Sequence, residues 1–143
     1  MKLSEACRLG TTMIPTIYGP IFKRTLTGKV CGACRIGSIA LAAGMRPARF
    51  PVHVQGEDSR AVHSYFHTHW PWISRVPDAE NSMLFIFGIP SYIAYCHEIA
   101  KMTADEIAVV LEKLEAKYAN NDPVVMDTTP NVAGDATQLM EVQ

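Results

Sequence analysis

The chain has 143 residues, 48% of them hydrophobic and 19% charged, a length and balance that suit one compact domain and argue against wholesale disorder. Thirteen basic side chains nearly cancel fourteen acidic ones, for a formal net charge of -1. That leaves no overall field to attract a nucleic-acid backbone or an anionic membrane, and neither is expected as a partner.

The N-terminal run Met1 to Cys7 carries charge where a secretory signal would need an apolar stretch, and no small-residue cleavage site follows. The most apolar segment, Met83 to Tyr95, is broken by Gly88 and Pro90 and falls short of the roughly 20 residues that a membrane-spanning helix needs. Four cysteines are too sparse for a disulfide-held secreted fold, so reduced thiols and a cytoplasmic location are expected.

Taken in chain order, Leu3 to Leu9 reads as a short helix, with Leu3, Ala6, Cys7 and Leu9 near one face and Gly10 placed to end it. The next stretch, Ile21 to Leu26, the turn Thr27-Gly28 and then Lys29-Val30, fits a small hairpin or an extended loop. From Cys31 to Ala43 the chain is apolar on nearly every face and Gly44 follows as a stop signal, which predicts a buried central helix. Ala33, Gly37, Ala40 and Gly44 form a small-residue stripe along it, suited to the close approach of another helix.

Between Arg46 and Asn81 periodicity fades, and Pro47, Pro51, Pro71 and Pro77 interrupt any regular element. A short helix from Ser59 to Thr68, carrying Val62 and Phe66, is the one element expected there. Ser91 to Lys101 repeats apolar residues at helical intervals behind Pro90, which suits a first turn. Thr103 and Glu106 make a capping box, and Ile107, Val110, Leu111, Leu114 and Tyr118 supply the apolar stripe of the helix it opens. Asn120 to Pro123 ends that helix. The fold class read from this order is mainly α: a small helical bundle over residues 1–119 with an irregular middle, a short hairpin before the central helix, and an extended C-terminal tail over 120–143.

These motifs carry a resemblance. The opening Lys2-Leu3-Ser4-Glu5-Ala6 with Arg8 and Gly10, the Cys-Ala-rich helix from Cys31 to Ala43, and the terminal pair Ile93 to Ala100 and Thr103 to Leu114 resemble a group of small uncharacterised bacterial proteins. The resemblance covers both ends of the domain and not Phe50 to Asp78. It implies a small helical protein and attaches no activity.

Three sets of residues could carry chemistry. Cys31-Gly32-Ala33-Cys34 is a Cys-x-x-Cys at the expected helix start, where the dipole would favour the first thiolate. It could serve thiol exchange, but the βαβ setting of a thioredoxin-like site is missing, and buried cysteines used as small apolar side chains are the favoured explanation. Joined by His63 and His67, spaced i, i+4, the same cysteines would make a two-thiolate, two-imidazole zinc shell. The long gap between the pairs is unlike a finger, and His69, Cys96 and His97 are alternative ligands. Zinc is the one cofactor worth weighing and none is otherwise expected.

The third set is aromatic: Phe66, Trp70 and Trp72, within a His- and Trp-rich run, could anchor a partner or plug the side of the core. No spacing ties His67 or His69 to Glu57, Asp58 or Glu80 as an acid-base pair. A helix-turn-helix reading of the Thr103 segment fails on the acidic residues Asp105, Glu106, Glu112 and Glu115. The reading that follows is a non-enzymatic module acting by protein association, as a homodimer built on apolar stretches such as Met83 to Ile89. The alternative is a zinc-stabilised or thiol-redox protein using Cys31 and Cys34.

Overall fold

In the computed structural model, residues 1–48, 55–77 and 88–119 are described. In chain order they form α1 (Leu3–Met13), β1 (Phe22–Arg24), β2 (Val30–Ala33), α2 (Arg35–Ala42), α3 (Gln55–His69), a 3-10 turn (Pro71–Arg75), α4 (Ile89–Glu98) and α5 (Ala104–Tyr118). This is the mainly helical fold that the sequence predicts, with the hairpin ahead of the central helix. No helix among the described residues is long and apolar enough to cross a membrane. The expected tail over 120–143 lies outside the described residues.

Gly10 does not end α1. The helix runs on to Met13 and stops where Ile14, held extended at φ -154° and ψ 145°, precedes Pro15. Gly10 is there for closeness: a Cβ at this position would lie 2.7 Å from the Ser38 carbonyl oxygen of α2. The α1 and α2 backbones touch at this point, and only a residue without a side chain permits it.

The predicted central helix is shorter at its start. Val30 to Ala33 are strand, antiparallel to Phe22–Arg24, and α2 begins only at Arg35. Apolar content alone could not separate a buried strand from a buried helix here. Pairing decided it: on its other side Ala33 donates to the Pro15 carbonyl and accepts from the Ile17 N–H, each at 3.0 Å. The hairpin turns through Gly28 at φ +88°, whose N–H donates to Thr25 at 2.9 Å. Gly37 likewise serves a different neighbour from the one expected. A Cβ there would meet the Ile21 carbonyl at 2.7 Å and the Phe22 ring at 2.9 Å, so the hairpin, not another helix, lies against it. Gly44 does close α2: the Met45 N–H reaches the Ala40 carbonyl at 2.9 Å and the Gly44 N–H the Leu41 carbonyl at 3.1 Å, a Schellman ending with Gly44 at φ +111°.

The expected Ser59 to Thr68 helix is longer, from Gln55 to His69, and α4 starts at Ile89 with Pro90 in its first turn. The Thr103 capping box forms as predicted: Thr103 N–H donates to Glu106 at 2.8 Å and Glu106 N–H to the Thr103 hydroxyl at 3.1 Å.

Helix α2 packs against α1, α3 and α4, while α1 also packs on α5. The core gathers Leu3, Ile36, Ile39, Phe66, Ile93, Ile107 and Leu111 from these helices. Polar links fix how the elements meet. Arg8 of α1 bonds Glu112 at 2.6 Å and Asp105 at 3.3 Å on α5. Arg24 of β1 forms a buried two-pronged ion pair with Asp58 of α3, and its third nitrogen donates to the Gly28 and Ala48 carbonyls at 2.8 and 2.7 Å. Burial raises the Asp58 carboxyl above its ordinary value and Arg24 offsets part of that rise.

Candidate functional site

Cys31, Cys34, His63 and His67 do not gather into a metal-holding group among the described residues. Cys31 is exposed on β2 and is the extra residue of a bulge, since Lys23 opposes Gly32 and Arg24 opposes Val30. Cys34 is buried at the cap of α2, and both thiols are free. His63 and His67 stand on α3, where His67 shares a hydrogen bond with Ser74 at 3.1 Å. Among the described residues no group of three or more His, Cys, Asp or Glu side chains converges on a point that could hold a metal ion.

Phe66, Trp70 and Trp72 are buried in the core rather than presented to solvent. Phe66 and Trp70 meet edge to face at 5.1 Å, and the Trp70 indole N–H donates to the Met1 carbonyl at 3.0 Å. Of the apolar run that motivated the homodimer reading, Met83 to Phe87 lie outside the described residues, and Ile89 is buried.

What the fold does assemble centres on Arg35 and His97. Arg35 is the first residue of α2 and only 5% exposed. Its Nε and Nη1 have no hydrogen-bond partner among the described residues. Helix α2 packs against α1 and α4, and the Arg35 charge is felt at Cys7 of α1, at Cys34 and at His97 of α4. Three circumstances make this position costly. A buried cation needs a counterion. The first turn of α2 contains no acidic residue. The positive end of the helix dipole is the wrong end for a cation.

His97 is 1% exposed and its Nε2 lies 2.9 Å from the carbonyl oxygen of Ile17, whose own N–H donates to the carbonyl of Ala33, two residues before Arg35, at 3.0 Å. A carbonyl only accepts, so Nε2 carries the proton in that bond. Burial pulls His97 below its ordinary pKa, and the Arg35 and Lys101 charges lower it further against the Ile17 carbonyl and Glu98. The ring is therefore neutral near pH 7, and Nδ1 is a bare acceptor, buried and without a partner among the described residues.

The segment Ile17 to Gly19 closes over this ring. Tyr18 stacks on His97 at 4.4 Å and 6°, the Lys101 ammonium sits 4.0 Å from the Tyr18 ring centre, and Gly19 N–H donates to both Glu98 carboxylate oxygens at 3.0 and 2.9 Å. Glu98, whose charge is felt at Cys34 and His97, thus spends its oxygens on the backbone. Sequence reasoning passed over Arg35, although a signal was present: it is the single charge in the apolar run from Cys31 to Ala43. His97 stood there only as an alternative metal ligand.

Comparison of the chain with protein-family models, curated proteins and solved structures finds no match.

Proposed function

We propose that this protein binds a small anionic ligand between α1, α2 and α4, with Arg35 as the principal contact. The observation that carries the reading is the buried guanidinium whose Nε and Nη1 have no partner among the described residues. Arginine offers a planar fork of donors and no acceptor, and it matches a carboxylate or a phosphoryl group in two parallel bonds. An anion at this place would neutralise both Arg35 and the N-terminal end of α2. The reading keeps the non-enzymatic expectation and replaces a protein partner by a small molecule.

Thermal unfolding of the wild type and of Arg35→Met, each with and without millimolar phosphate, sulfate, acetate and glycolate, tests it. At least one anion should raise the wild-type midpoint and leave that of Arg35→Met unchanged. Without anion, Arg35→Met should match or exceed the wild type, because an uncompensated buried charge has been removed. If instead the variant loses about 3–5 kcal/mol with no anion present, the counterion is supplied by the chain and the proposal falls.

A further inference from the structure

Resting on that reading, we infer that the ligand is an anion that also carries a hydrogen-bond donor beside its ionised oxygen, as hydrogenphosphate or a 2-hydroxycarboxylate does, with the donor directed to His97 Nδ1 and the ionised oxygen to Arg35.

The two groups left without partners are opposite in kind. Arg35 presents only donors at Nε and Nη1. His97 presents only an acceptor at Nδ1, because its single proton is committed to the Ile17 carbonyl. A fully ionised anion such as sulfate or acetate satisfies the first and faces the second with another lone pair. An oxygen pair of which one member bears a proton satisfies both.

The tautomer that leaves Nδ1 bare is held from several sides. Ile17 takes the Nε2 proton, Tyr18 stacks flat on the ring, and Glu98 anchors Gly19 so that the Ile17 to Gly19 segment stays on α4. Protonating Nδ1 instead would put a second cation in a buried place already subject to the charges of Arg35 and Lys101, and the Glu98 carboxylate, 3.8 Å from Nε2, offsets only part of that cost. His97 therefore reads the protonation state of what Arg35 holds. It is a specificity residue rather than a source of bulk affinity.

Sulfate and phosphate separate these roles, since at about pH 8 both are dianions of one shape and only phosphate retains an O–H. Acetate and glycolate do the same for carboxylates. Calorimetric titration of the full-length chain with all four should show the donor-bearing member of at least one pair binding about tenfold tighter or more, the worth of one hydrogen bond to a buried acceptor. The pair that shows it identifies the phosphoryl or the carboxylate class. Equal affinities within both pairs overturn the inference and leave the anion reading standing, whereas no binding by any of the four overturns the anion reading itself.

A readout that needs no variant is the nitrogen resonance of His97. The tighter ligand should move Nδ1 from a bare towards a hydrogen-bonded position while Nε2 keeps its proton, and an unmoved Nδ1 refutes the contact. In His97→Phe, which keeps a flat ring against Tyr18, the preference within the pair should vanish while binding to Arg35 persists.

Discussion

Ser4 and Glu115 are 111 positions apart and doubly bonded: the Ser4 N–H donates to one carboxylate oxygen at 3.0 Å and its hydroxyl to the other at 2.5 Å. Both residues are buried. Ser4 stands in the first turn of α1, where the N–H groups lack helical acceptors and the dipole favours negative charge. Glu115 thus caps a helix from the far end of the sequence.

Removing that cap should be expensive. Glu115→Ala leaves the Ser4 hydroxyl and N–H buried without an acceptor, and a loss of about 2–3 kcal/mol is expected in urea unfolding. Glu115→Gln keeps an acceptor and loses the charge, so it should cost about half as much. Equal effects for the two variants would show that the ionised carboxylate holds the junction and that a neutral acceptor of the same shape does not replace it.

The contact of Gly10 with Ser38 reverses a general rule. Glycine to alanine inside a helix normally gains about 1 kcal/mol from propensity. Here the new methyl would stand 2.7 Å from a backbone oxygen that cannot turn aside. Gly10→Ala is expected to destabilise by about 1–3 kcal/mol through forced separation of α1 and α2. Denaturant unfolding that finds a gain would refute the close approach.

The thiols should differ in reactivity. Cys31 is exposed, while Cys7, Cys34 and Cys96 are buried. Burial pushes the Cys7 thiol up to about 12, against smaller opposing effects of Arg35 and Arg8. Burial also raises Cys34 and Cys96. An aromatic disulfide reagent should therefore label one thiol quickly in the native protein and all four after denaturation, and Cys31→Ser should abolish the fast phase. Rapid labelling of Cys34 would revive a thiol-exchange role for the pair.

Acid should weaken the fold earlier than carboxylates alone would predict. Burial lowers the folded His97 below the 6.5 of an open histidine, and His63 shifts in the same direction. Below 6.5 the unfolded chain takes up these protons before the folded one does, so stability present above that value is lost as pH falls towards the folded pKa. For His97 the slope cannot exceed about 1.4 kcal/mol per pH unit. In His97→Phe the decline between pH 6.5 and 5 should be shallower, as followed by urea midpoints. An unchanged profile would mean that His97 takes up its proton alike in the folded and unfolded chain and that burial does not shift it.

Much of the helical skeleton was legible because its signals are local. The Thr103 and Glu106 cap, the stripe from Ile107 to Tyr118, and Gly44 as a stop all act within one or two turns. The boundaries that were misread depend on partners far along the chain. Cys31 to Ala33 became strand because Phe22 and Pro15 flank them, and α1 continued through Gly10 because α2 lies against it.

The candidate site follows the same division. The sequence by itself determined that a lone charge, Arg35, would enter an apolar run, and that a histidine would stand on the helix behind Pro90. Only the tertiary structure decided that Arg35 is buried with two nitrogens unsatisfied among the described residues, that Ile17 takes one histidine proton, and that the conspicuous Cys and His pairs form no metal-holding group among the described residues. Spacing along a chain fixes which residues share a face, whereas desolvation and hydrogen-bond satisfaction are properties of the space between elements. That space exists only once α1, α2 and α4 have packed.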